Sequence, residues 1–81
     1  MDEIYRRLTA IIHDVFEDDS IAVTPALTAP DVPGWDSLSH IRLILEVQRA
    51  FGIKFAAAQT ANLKNVGELA ELIQAKTAAV A

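Results

Sequence analysis

Apolar positions in this chain recur at helical spacing, and no stretch sustains the alternation of a strand. Ile4, Leu8, Ile11, Ile12, Val15 and Phe16 share one face of a predicted first helix, while Arg6, Arg7, Asp14 and Glu17 fall between them toward water. The acidic run Glu17-Asp18-Asp19 is at the wrong end to complement a helix dipole, so it is read as the turn that ends the helix or as a charged surface patch. Pro25, Pro30, Pro33 and Gly34 forbid a helix through 18–36, so this is a long connection that Ile21, Val23 and Leu27 tie to the core. Loops of that length in small domains are often functional.

A second helix is predicted from Asp36-Ser37, with Asp36 as its N-cap and Gly52 as its C-terminal stop. Leu38, Ile41, Ile44, Leu45 and Phe51 are read as its inward stripe, with Leu43 and Val47 carrying apolar character onto another face. Ile53 and Phe55 anchor an extended piece, and residues 56–61 form a short helix that is marginal without packing. The last helix starts near Asn65, which forms a capping box with Glu68. Val66, Leu69, Ala70 and Ile73 repeat along it, with Leu72 beside them, and residues 77–81 are expected to fray. The fold class is therefore all-α. It is a small four-helix bundle with three longer helices, one short helix and a long loop between the first two, forming one domain over 1–81.

Composition narrows the function. A chain of 81 residues buries only about 60% of its unfolded surface, leaving little room for an enclosed active site. The net charge of −4 and pI of about 4.9 argue against nucleic acid. The same charge favours partners with basic surfaces, or simply keeps a small domain in solution. No cysteine is present, so reactive thiol chemistry must come from an added group. His13 and His40 stand too far apart to suggest a metal site, and His13 reads as a boundary residue. Met1-Asp2-Glu3 has the wrong charge for a secretory signal, and no segment reaches the ~20 apolar residues needed to span a membrane. A cytoplasmic monomer is the expectation.

The chemically informative segment is Gly34-Trp35-Asp36-Ser37-Leu38. It sets a primary hydroxyl in the first turn of a helix, where unpaired N–H groups and the helix dipole favour a phosphate. Taken alone, Asp36-Ser37 reads as an ordinary cap. In context, this segment, the apolar helix after it, Phe51-Gly52-Ile53 at its end and Val66-Gly67-Glu68-Leu69 opening the last helix resemble the acyl carrier protein family over almost the whole chain.

The resemblance implies that a phosphopantetheinyl transferase moves 4′-phosphopantetheine from coenzyme A onto Ser37, with Asp36 and Leu38 flanking the attachment. It implies an arm whose thiol holds an acyl group as a thioester, presented to acyl-loading and acyl-processing enzymes of fatty-acid, polyketide or related biosynthesis. It implies a carrier, not an enzyme. A peptidyl or aminoacyl carrier shares the same serine, and a helical interaction module would use Asp36-Ser37 only as a cap. A hydrolase would need a base near Ser37, and none is evident.

The chain departs from the family at its second helix. Ser39, Arg42, Gln48 and Arg49 stand where many fatty-acid carriers have acids, and Glu46 is the one acid between Ser37 and Gly52. Docking is then expected to use Leu43, Val47, Arg42, Arg49 and acids on the partner, which suits a specialised, discrete carrier. Leu43, Val47 and Leu63 are candidates for guarding an acyl cleft, and Ile73 is read as core. Trp35 is expected to anchor the loop, and His40, one turn past Ser37, to face the arm or a partner.

Overall fold

A computed structural model describes residues 2–80, with side chains through residue 78. It contains helix α1 (Asp2–Phe16), a single 3-10 turn (Ala29–Asp31), and helices α2 (Ser37–Phe51), α3 (Ala57–Ala61) and α4 (Val66–Val80), with no strand among the described residues. The all-α, four-helix expectation holds in element type, order and relative length. Helix α1 packs on α2 and on α4.

The amphipathic pattern of α1 places Ile4, Leu8, Ile12 and Val15 in the core. They meet Leu43, Ile44 and Val47 from α2, Ile53 after it, and Val66, Leu69, Ala70 and Ile73 from α4. Each fully buried side chain of this size contributes roughly 1.5–3 kcal/mol over the exposed state.

The expected inward stripe of α2 needs correction. Leu43 and Val47 are completely buried, whereas Leu38, Ile41 and Leu45 keep 70%, 56% and 54% of their surface exposed. Of the stripe first assigned to the core, Ile44 is buried and Phe51 half-buried. Periodicity groups residues by face, but it does not say which of two apolar faces turns inward.

The helix ends explain the chain's turns. Glu17 follows α1 in the left-handed region (φ 52), and the N–H groups of Asp18 and Glu17 reach back to the carbonyls of His13 (3.1 Å) and Asp14 (3.4 Å). Gly52 closes α2 in the same region (φ 66), where a residue without Cβ is unstrained. The 3-10 turn was not anticipated. It forms because the Asp31 carboxylate accepts from both the hydroxyl (2.8 Å) and the N–H (3.0 Å) of Thr28.

The long loop is strapped across the start of α4. Val66 N–H donates to Leu27 O and Gly67 N–H to Pro25 O, both at 2.9 Å. A Cβ on Gly67 would lie 3.0 Å from Pro25 O, so any larger residue there would have to push the strap outward. At the other end of the loop, His13 Nε2 donates to Ile21 O at 2.8 Å, which fits the expected boundary role.

Asn65 caps α4 by accepting from Glu68 N–H at 2.9 Å. The reciprocal bond differs from the expected box, because Glu68 Oε1 accepts from Lys64 N–H (2.9 Å). Helix α4 runs through Val80, and the Thr77 hydroxyl donates back to Ile73 O at 2.9 Å. Ala81 lies outside the described residues.

Candidate functional site

Asp36, in extended backbone conformation, is the N-cap of α2, and its carboxylate accepts from Ser39 N–H at 2.9 Å. The Ser39 hydroxyl donates to Gly34 O at 2.9 Å. These bonds spend the polar groups on either side of Ser37 on the turn itself. Ser37, the first residue of α2, is left exposed. The Ser39 N–H bond holds the Asp36 carboxyl below the usual carboxylate range. The acid is thus ionised at neutral pH and engaged in the helix cap.

Behind Ser37 lies a cavity of about 690 Å³ between the loop, α2, α3 and the start of α4. Its apolar wall includes Leu27, Pro30, Ile41, Leu63, Val66 and Leu69. Its polar edge is made by Asp36, Ser37, Thr60, Lys64 and Asn65. Trp35 closes one side, with its ring 5.2 Å from that of Phe16 on α1. The indole N–H donates to His40 Nδ1 at 3.2 Å, and His40 Nε2 pairs with Thr60 O at 3.2 Å. Trp35 is therefore the loop anchor that its size suggested.

The structure brings Trp35, Asp36, Ser37, His40 and Leu63 together around this cavity. It leaves Leu38, Arg42 and Arg49 on the outer surface. Leu43 and Val47 are fully buried, so neither is available for surface docking. Ile73 is core, as expected.

Sequence reading missed Ile41, Thr60 and the loop residues Leu27 and Pro30 as cavity lining. Ile41 had been assigned inward on periodicity alone. Thr60 and the loop residues reach the cavity only through tertiary packing, which leaves no local signal.

The attachment-site model for phosphopantetheine matches residues 6–73. The chain belongs to the acyl carrier protein family. It is 32% identical to the acyl carrier protein of Amoebophilus asiaticus, over 96% of this chain and 98% of that one. It is 27% identical to the acyl carrier protein of Helicobacter pylori, over 88% of this chain and 91% of that one. The solution NMR structure of holo acyl carrier protein from Geobacter metallireducens superposes with a TM-score of 0.88 at 45% identity, covering 94% of this chain and 87% of that one. Membership makes the protein an acyl carrier, not an enzyme, with covalent 4′-phosphopantetheine as its prosthetic group. The described residues suit that group. An exposed hydroxyl stands at a helix N-terminus, and a cleft with a polar edge and an apolar wall opens beside it. No helix among the described residues is long and apolar enough to cross a membrane.

Proposed function

We propose that Ser37 is the residue that carries the phosphopantetheine arm, and that residues 1–81 act as a single carrier domain in the cytoplasm. The observation that carries this reading is an exposed hydroxyl in the first turn of α2, beside an ionised cap that is already engaged by Ser39 N–H. A phosphodiester there gains from the helix dipole and from the unpaired N–H groups of the first turn. When attached, the group supplies the thiol that holds an acyl chain as a thioester. The chain's own residues hold the attachment point out for a phosphopantetheinyl transferase and for acyl-loading and acyl-processing enzymes.

Intact mass after incubation with coenzyme A and a broad transferase tests this. Wild type gains one arm and Ser37→Ala gains none. Modification of Ser37→Ala, or of another residue, overturns the assignment. An unmodified wild type turns Asp36-Ser37 back into a mere cap.

The partners we propose present carboxylates around an apolar hollow. Leu38, Ile41, Arg42, Leu45 and Arg49 stand at helical spacing on the outer face of α2, opposite the buried Leu43 and Val47. Arg49 is 81% exposed and is paired only loosely with Glu46, at 3.6 Å. A basic and apolar stripe on a chain of net charge −4 complements an acidic surface rather than the basic one expected from charge alone. This supports a specialised carrier. Arg42→Glu with Arg49→Glu is expected to slow acylation by the cognate loading enzyme at least about tenfold, chiefly through association. Turnover by a generic fatty-acid synthase set that matches a housekeeping carrier would refute the specialisation.

A further inference from the structure

Trp35, His40 and Thr60 form a hydrogen-bonded crossbar along one wall of the cavity beside Ser37, and the chemistry of its ends fixes the state of its middle. An indole N–H can only donate, so Nδ1 of His40 must be bare. A carbonyl oxygen can only accept, so Nε2 must carry the hydrogen. One neutral tautomer satisfies both bonds. A proton on Nδ1 would set N–H against N–H and break the Trp35 bond.

The crossbar joins three elements. Trp35 belongs to the loop and packs on Phe16 of α1, His40 belongs to α2, and Thr60 is in α3. Helix α3 has five residues, none of them buried, which is too short to stand without external ties. The charged groups that line the cavity around His40 are Asp36 on its own helix and Lys64 after α3. The loop faces it with Leu27, Ala29 and Pro30, and α4 with Val66 and Leu69. Neither charge is bonded to the imidazole.

We propose that His40 is a positioning residue: as the neutral Nε2–H tautomer it ties the Trp35 loop to α3 and sets the width of the cleft next to Ser37. That the cleft serves the arm rests on the carrier reading, but the crossbar does not, so the unmodified chain can test it.

The decisive variant is His40→Gln. Its amide offers one acceptor and donors, so it can satisfy both ends of the crossbar, and it does not titrate. Nitrogen NMR of the His40 ring at pH about 8 should show hydrogen on Nε2 alone. The exchange protection of the Trp35 indole N–H should agree within about twofold between wild type and His40→Gln, and fall about tenfold in His40→Phe, with the Thr60 and Ala61 amide signals shifted in that variant alone. Because His40→Phe removes two hydrogen bonds and can cost the fold, wild type and His40→Gln decide alone. An Nδ1–H tautomer, or indole protection about tenfold lower in His40→Gln than in wild type, overturns the proposal. Neither outcome bears on arm attachment at Ser37, which the mass measurement reads separately.

Discussion

Leu38 and Leu43 are the same residue type on the same helix, and their surroundings give them different consequences. Leu43 is fully buried against α1 and α4 side chains, and Leu38 is 70% exposed. Leu43→Ala should therefore lose about 2–5 kcal/mol in urea unfolding, through lost transfer energy and a residual cavity. Leu38→Ala should stay within about 0.5 kcal/mol of wild type. If the two variants unfolded alike, the orientation of α2 would be wrong. This is also where the sequence was hardest to read. Leu38, Ile41 and Leu45 make as regular a stripe as Leu43, Ile44, Val47 and Phe51. A usable signal was present in Arg42 and Arg49, which share a face with the first set and would have to be buried if that set turned inward. Trp35, Asp36 and Ser37 were legible because each has a strong local preference, as ring anchor, cap and helix-start hydroxyl.

The ends of the elements show where backbone conformation and residue choice agree and where they conflict. Glu17 holds a left-handed conformation (φ 52) that favours glycine. Glu17→Gly should stabilise the protein by roughly 0.5–1 kcal/mol, seen as a higher Tm. Gly67 is the opposite case. Alanine normally improves a helix, yet here its methyl would press on Pro25 O at 3.0 Å and Pro25 Cβ at 3.2 Å. Gly67→Ala is expected to lower stability by about 1 kcal/mol as the loop strap shifts. A raised Tm would show that the loop yields freely. Helix starts were readable from Asp36 and Asn65, because short polar side chains bond N–H groups within the same turn. The 3-10 turn and the Pro25 strap were not readable, because the first depends on a Thr28–Asp31 pair common in many settings and the second on contacts between distant segments.

Across the whole molecule, three surface carboxylates link folding to acidity. Asp18, Asp31 and Asp36 are each held below the ordinary carboxylate range by bonds from Ser20, Thr28 and Ser39 respectively. A depressed value in the folded state means the unfolded chain binds protons more readily on acidification. The stabilisation is therefore complete above the ordinary carboxylate range and lost as the pH falls through the folded-state values. The urea midpoint should fall between pH about 6 and about 3, and Asp36→Asn should flatten part of that slope. A midpoint that does not change with pH would rule out these bonds as contributors.

The two opposed faces of α2 have a practical consequence. Positions 38, 41, 42, 45 and 49 can be randomised together while 43, 44 and 47 are left alone, so a library built on them would vary the exposed surface with little penalty in foldability. The outer strip can be repainted while the interior is left unchanged.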